Sequence, residues 1–490
     1  MGRSAWLGWM LPALVAVACG IDSRQPSVLP AEPGVASGAI PGSGGNGGAG
    51  GSFGSAGSSS GGSARESGRG PLGLDEGAGD GLGGGSGSAG TPPEPEVTRV
   101  AGSCAASTCI ADGGQCEREV CIFRCDAAAG GCNTAALRCP ANVDCQVDCL
   151  APGSCSQPLQ CPPGATCNVN CTAEQSCSGP ITCTGNAGCN VNCSGLASCG
   201  AGFALPAVEG SVRVSCAGDN SCSAAVACGE GLALCEIACS GAGSCSAGID
   251  CRARTCSLRC DNSSCSAGAT CGQPGGGTES CSIECGLDSC AAPDALIGCR
   301  TTTADCEVHC SGANACAGTV SCDAEQGNCT IDCDGDRSCA STVGCHARGN
   351  CFVACQQGAC LGNVDGSSDQ LIAGIECQGA GSCQGAVSCQ SGGLCALACN
   401  GDGSCPGPVS CTSSTASCDL DCGASSCTSS VDCDAGDLCE IDCSSAGACD
   451  AGTIRCTADN RCTLDCGLNF SCLLDNTCVA DQIAGDCQTP

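Results

Sequence analysis

One short pattern of apolar and polar positions recurs along most of this chain. A cysteine is followed by a polar residue, an aliphatic one, another polar residue and a second cysteine. Cys167-Asn-Val-Asn-Cys171 and Cys189-Asn-Val-Asn-Cys193 are the clearest copies. Later copies place Ile237, Leu258, Ile283, Val308, Ile331, Val353, Leu397, Leu420, Ile441 and Leu464 at the centre. Cysteine, aliphatic and cysteine at alternate positions share one face of a β-strand, and the residues between them point the other way. Those residues are mostly polar, among them Asn170, Asp332, Asp421, Asp442 and Asp465. A second alternating segment sets an aliphatic residue two places before another cysteine, as at Leu159, Ile181, Ile249, Val320, Val409 and Val431. The connecting stretches carry Gly, Ser, Asn and Asp, as turns do. Each repeat therefore predicts two short strands and two turns.

The spacing is regular. From Cys167 the next cysteines are Cys171, Cys177, Cys183 and Cys189, gaps of 4, 6, 6 and 6 that make a period of 22. A fixed period of this size marks stacked supersecondary units rather than separate domains. The expected fold is all-β, a disulfide-stapled parallel β-solenoid of about 17 turns of roughly 22 residues. It should occupy residues 101–490.

Two degenerate repeats bear on the cysteine pairing. After Cys199 the fourth cysteine of the turn is missing, and Val212 stands where the next first cysteine belongs. After Cys360 the same two positions are lost together, with Ala373 in the second of them. Joint loss suggests that the fourth cysteine bonds the first cysteine of the following turn. By elimination the second bonds the third. The expected second-to-third bonds include Cys149–Cys155, Cys171–Cys177, Cys193–Cys199, Cys216–Cys222, Cys239–Cys245 and Cys399–Cys405. The fourth-to-first bonds include Cys161–Cys167, Cys183–Cys189 and Cys411–Cys418. At the ends the scheme gives Cys104–Cys109, Cys116–Cys121 and Cys478–Cys487. Bonds between stacked turns remain open at this point. The unstapled stretches around 200–212 and 361–373 are expected to be the least regular.

Composition changes the picture in one respect. The chain has 65 Cys but only five Phe, two Trp and no Tyr, so large side chains cannot supply an ordinary core. Cystines must take that part, which points to an oxidising compartment outside the cytoplasm. The N-terminus agrees, with Arg3 followed by an apolar run from Ala5 to Ala18 that is too short to span a bilayer as a helix. Leu14-Val15-Ala16-Val17-Ala18-Cys19-Gly20 resembles the lipobox of bacterial lipoproteins, with Ala16 where Leu is commoner. The resemblance implies a signal peptide at residues 1–18, lipidation of Cys19 and anchoring in the outer membrane. Residues 19–100 are Gly/Ser-rich and predict a disordered tether.

The net charge is −32, which disfavours nucleic acid as a partner. No phosphate-binding loop, nucleophile elbow or dinucleotide fingerprint stands in a strand-to-helix context, and no cofactor is expected. The two histidines, His309 and His346, fall on an outward strand position and a loop position. Asp434, Asp437, Glu440 and Asp442 are weak Ca²⁺ candidates, since Ca²⁺ needs several oxygens in one place.

Cys-Asn-Val-Asn-Cys followed by Gly-x-x-Ser-Cys, as at 189–199, resembles cysteine-rich repeat lipoproteins of myxobacteria. Sequences similar to these are sometimes labelled tryptophan synthase alpha chain, a barrel of eight βα units. This chain shows no helical period that would fit one. A more distant likeness is to disulfide-stapled insect antifreeze solenoids, but the residue before the fourth cysteine varies where an ice face needs Thr ladders. The implied function is a non-enzymatic, lipid-anchored cell-surface rod, a spacer or an interaction surface. A Ca²⁺-dependent binding module is the alternative.

Overall fold

The computed structural model describes residues 104–484, apart from 105–108, 111, 128–129, 162, 185–186, 206–208, 274–275, 451–452, 467–472 and 475–481. Residues 1–103, with the expected signal peptide, Cys19 and tether, lie outside the described residues. So do Cys478 and Cys487.

The described chain is a parallel β-solenoid. An 18-stranded sheet collects the Cys-x-aliphatic-x-Cys strands, from Val120–Cys125 through Cys145–Cys149 and Thr166–Cys171 to Gln482–Ala484. The opposite side is a sheet in two pieces. Four strands run from Leu137–Arg138 to Phe203–Ala204, and twelve from Val226–Cys228 to Leu473–Leu474. Among the described residues an isolated bridge, Leu205 to Cys228, joins the pieces. Successive strands pair in parallel with no slip. Cys145, Cys167 and Cys189 align, as do Val147, Val169 and Val191. A shift of one residue would turn every cysteine outward, so the alternating pattern pins the register.

Stacking in register converts the sequence pattern into columns. Val169, Val308, Ile331, Leu420 and Ile441 are completely buried, and the cysteines on either side of them are buried too. The interior is thus one aliphatic column per sheet between two cystine columns. Cα–Cα separations across the staples run from 5.2 Å for Cys125–Cys132 to 6.4 Å for Cys228–Cys235. These distances suit a cystine but fall well short of the ~10 Å between ordinary packed sheets. The solenoid is therefore pinched at both edges, which fits a core without large side chains.

The turns stack as tightly as the strands. The third cysteine of each turn adopts left-handed backbone, for example φ 53° at Cys177, 56° at Cys199 and 51° at Cys316. Such a conformation costs an L-residue roughly 1–2 kcal/mol. Its staple and its neighbours hold it there: the Cys177 N–H donates to Ser154 O, that of Cys199 to Ser176 O, and that of Cys222 to Ser198 O. Some turns leave no room for a side chain. A Cβ on Gly335 would lie 2.0 Å from the Gly312 carbonyl oxygen of the rung before.

The N-terminal end departs from the expected scheme. Gln115–Glu117 pairs antiparallel with Val120–Cys125 through a two-residue turn at Arg118 and Glu119, with φ of 48° and 65°. Positive φ at both central residues is the hairpin turn that matches strand twist. This hairpin inserts an extra strand before the first regular rung. The bonds are accordingly Cys104–Cys116 and Cys109–Cys121, not Cys104–Cys109 and Cys116–Cys121. Cys109 takes the fourth-cysteine role for Cys121, and Cys104 reaches the added strand. The hairpin also covers an edge that would otherwise present unpaired backbone. Apart from Gln115–Glu117 the long sheet holds 17 parallel strands, and 14 of its rungs carry the complete Cys-x-x-x-Cys pattern.

The two unstapled places behave differently. Around 361–373 the chain is regular: Val364–Ser368 and Ile372–Cys377 are continuous strands, correcting the expectation of irregularity there. Gly366 replaces the fourth cysteine in register with Cys345 and Cys389. The Ile375 side chain reaches to within 3.2 Å of where a Gly366 Cβ would sit, so an aliphatic group occupies the cystine's space. At the earlier place the second sheet breaks, between Phe203–Ala204 and Val226–Cys228.

Candidate functional site: the cystine columns and the acidic face

The staples follow two columns. On one edge the second and third cysteines bond, including Cys149–Cys155, Cys171–Cys177, Cys193–Cys199, Cys216–Cys222, Cys239–Cys245 and Cys399–Cys405. On the other edge the fourth cysteine bonds the first of the next turn, as in Cys161–Cys167, Cys183–Cys189, Cys389–Cys395 and Cys433–Cys439. The 29 bonds seen among the described residues lie within a turn or across one turn junction. Sulfurs of successive staples nevertheless come close. The Sγ atoms of Cys161, Cys183 and Cys189 lie within 4.8 Å of one another, and those of Cys139 and Cys167 are 4.0 Å apart.

At the expected place of Cys411–Cys418 both residues are completely buried in the fourth-to-first column, between the staples Cys389–Cys395 and Cys433–Cys439, with their side chains against each other. Cys411 keeps the ordinary place of a fourth cysteine. Its thiol donates to Cys395 O at 3.6 Å, the contact that Cys322 makes with Cys306 O at 3.5 Å and Cys345 with Cys329 O at 3.7 Å. The Cys418 sulfur lies 3.7 Å from Asp434 O.

A serine column accompanies the second-to-third staples. Ser154, Ser176, Ser198, Ser221, Ser244, Ser264, Ser289, Ser338, Ser382, Ser404 and Ser426 each precede a third cysteine and are completely buried. Some hydroxyls donate to a backbone oxygen, such as Ser264 Oγ to Cys239 O at 2.9 Å and Ser382 Oγ to Gly379 O at 2.8 Å. Those of Ser154, Ser198, Ser221, Ser244 and Ser404 have no partner. Sequence reasoning passed over this column, although the recurrent Ser of Gly-x-x-Ser-Cys was its signal.

The acidic candidates are redistributed by the fold. Asp434 lies on Val431–Ala435, in register with Thr412 and Thr457 in the twelve-stranded sheet. Glu440 and Asp442 lie on Leu438–Asp442 in the other sheet. Asp437, in the loop between, accepts a hydrogen bond from Asn460 Nδ2. The four therefore do not converge, because the intervening staple sends the chain to the opposite side. Glu440 instead aligns with Asp419, and Asp442 with Asp421 and Asp465. Burial raises the Asp419 carboxyl, and Glu440, Asp421 and Asp442 raise it further. Burial and Asp442 raise Asp421, opposed by a hydrogen bond from Asn400.

The histidines lie in different sheets. His309, on Cys306–Cys310, stands 3.8 Å from Glu307 and 4.0 Å from Asp332. His346, on Val343–Ala347, has Nδ1 2.8 Å from Ser367 Oγ. Among the described residues no helix is long and apolar enough to cross a membrane. Comparison with protein-family models, curated proteins and solved structures finds no match.

Proposed function

We propose that this is an exported structural repeat protein, held to a bacterial outer membrane by a lipid on Cys19 and acting as a spacer or interaction rod at the cell surface. The observation that supports this best is the pair of cystine columns that runs along the described residues. A chain that relies on staples for its interior belongs in an oxidising compartment. Flat, in-register sheet faces and short turns offer side-chain ladders rather than a deep pocket, which suits presentation or contact more than chemistry on a small substrate. The apolar run ending at Cys19 supplies the anchor in this reading, and residues 19–100 supply the reach.

The test is fractionation of cells expressing the full chain and its Cys19→Ser variant. The reading expects the native chain in the outer-membrane fraction and the variant in soluble extracytoplasmic fractions. Equal membrane association of both would overturn the anchor. Recovery of the native chain in the cytoplasm with its cysteines reduced would overturn the whole reading.

A Ca²⁺-dependent surface module is a second reading, favoured by one observation. Asp419, Asp421, Glu440 and Asp442 stand together on one face, and mutual repulsion helps hold two of their carboxyls up. A bound divalent cation would relieve that repulsion. Calorimetric titration of the full chain with Ca²⁺, repeated on Asp421→Asn, separates the two readings.

A further inference from the structure

We propose that the outward face around Asn168, Asn170, Asn190 and Asn192 binds a neutral polysaccharide of the extended β-1,4-linked kind, laid along the stack. The inference rests on the reading of this chain as a surface interaction rod and gives that rod a class of ligand. It begins from the Cys-Asn-Val-Asn-Cys motif, whose cysteines and valines build the interior and whose asparagines face out of it.

Two such strands lie side by side in register, so Asn168 aligns with Asn190 and Asn170 with Asn192. The rung before adds Gln146 and Asp148, and the rung after adds Arg213 and Ser215. Glu236 and Ala238 follow. The column through Asn170 and Asn192 thus drops to the short Ser215 and Ala238, while the column beside it ends in an Arg213–Glu236 ion pair of 3.0 Å. The result is a depression of about 560 Å³ in the sheet face.

The amides there are held in place but not used up. Asn190 Nδ2 donates to Asn168 Oδ1 at 2.9 Å, and Asn170 Nδ2 donates to Asp148 Oδ1 at 2.9 Å. Asp148 also accepts from Gln146 Nε2 at 2.9 Å. Each asparagine offers both a donor and an acceptor, so these bonds orient the ladder and leave Asn168 Nδ2, Asn170 Oδ1 and Asn190 Oδ1 for a ligand. Among the described residues the Asn192 side chain has no protein partner.

The chemistry of the depression narrows its occupant. The strands here pair on both sides, so no strand edge is open to an added peptide strand. Val191 and Val214 beneath it are buried on the inner side, so apolar groups find little to pack against. Arg213 is paired with Glu236 in a chain of net charge −32, which gives a polyanion no hold. The carboxylates of Asp148 and Glu236 are themselves engaged, which removes the attraction for a basic peptide. A neutral ligand whose hydroxyls both donate and accept fits what remains. The five rungs from Gln146 to Glu236, at roughly 4.8 Å each, span on the order of 20 Å. An extended β-1,4-linked chain advances by about one rung per sugar and meets a fresh pair of polar groups at each step, whereas a coiled α-1,4-linked chain leaves the line.

The test is calorimetric titration of the full chain, purified without reductant, with cellohexaose and with maltohexaose. Cellohexaose is expected to bind, and maltohexaose to bind about ten-fold more weakly or worse. Raising the salt about ten-fold should change the affinity less than about two-fold, since no ion pair forms with the sugar. Asn190→Ala/Asn192→Ala should weaken cellohexaose about ten-fold. Asn192→Ala alone breaks no bond within the protein and should still weaken it about three-fold. Thr330→Ala, on the same face several rungs beyond, should leave binding unchanged; circular dichroism checks that the variants are folded. No binding of cellohexaose, equal binding of the two sugars, a steep salt dependence, or folded asparagine variants that bind like the native chain would each overturn the proposal. None of these readouts depends on Cys19 or on the cell fraction, so the glycan site and the anchor fail separately.

Discussion

Removing one second-to-third staple should loosen one turn and leave the rest of the stack intact. Cys310–Cys316 is a suitable choice: its sequence separation is 6, and both cysteines are completely buried. Closing a loop of about seven residues is worth about 2.4 kcal/mol at 25 °C in the chain-entropy account, which at 1.36 kcal/mol per decade is on the order of fifty-fold in a local opening constant. Left-handed backbone at Cys316, φ 51°, adds to the effect, since the staple no longer opposes relaxation of that strain. The assay is hydrogen exchange on the Cys310→Ala/Cys316→Ala double variant. The reporters are the Cys316 N–H bonded to Ser289 O and the Cys339 N–H bonded to Ala315 O, both of which cross between rungs at this turn. They should exchange on the order of fifty times faster, with the strands several rungs away, such as Cys145–Cys149 and Leu394–Cys399, unchanged. Loss of protection across the whole solenoid would refute the local account. A change at the reporters of less than about three-fold would refute the view that staples substitute for a hydrophobic core.

Other substitutions probe the remaining columns. Ser221→Ala removes a buried hydroxyl without a partner and should be neutral or stabilising, whereas Ser264→Ala loses its bond to Cys239 O and should cost about 1 kcal/mol; thermal unfolding of the two variants measures the contrast. Gly335→Ala sets a Cβ 2.0 Å from a backbone oxygen that cannot yield cheaply, and it should destabilise by several times the ~1 kcal/mol usual for a surface change, read as a lowered unfolding midpoint. Asp419 and Asp421 have folded-state values raised above their unfolded ones, so the stability tied to them is full at low pH and is lost as pH rises through the carboxylate range. The Asp419→Asn/Asp421→Asn variant should accordingly be more stable than the native chain near neutrality, with the difference vanishing near pH ~3, below the ordinary carboxylate range. An equal difference at both pH values would show that charge is not the cause.

Much of this architecture was legible because a solenoid reads its sequence locally. Cys167, Val169 and Cys171 share a face by simple alternation, and the same alternation fixes their partners in the rungs before and after. The joint loss of cysteines at Val212 and Ala373 carried real information about pairing, since each sits in register with a first cysteine, Cys189 and Cys351 respectively. Where the repeat ends, that logic ends with it. The hairpin at Gln115–Glu117 occurs once, so no periodic signal announced it, and spacing alone assigned Cys104 and Cys116 to the wrong partners.

The acidic residues show the opposite error, in which nearness along the chain was mistaken for nearness in space. Asp434 and Glu440 are close in sequence, but the staple Cys433–Cys439 lies between them, and its two cysteines belong to different sheets. Asp419 is about one full period before Glu440 and stands directly beside it in the parallel ladder. In a stacked fold the residues that meet on a surface are those separated by one period, and residues a few places apart are divided by a turn. A surface site on this protein is therefore a column of equivalent positions, and a single substitution alters one step of that column. Binding to such a face should weaken step by step as successive Asp are replaced, because each rung contributes its own carboxylates. A ligand lost completely on replacing Asp421 alone would require a discrete site, which the in-register spacing of these acids does not provide.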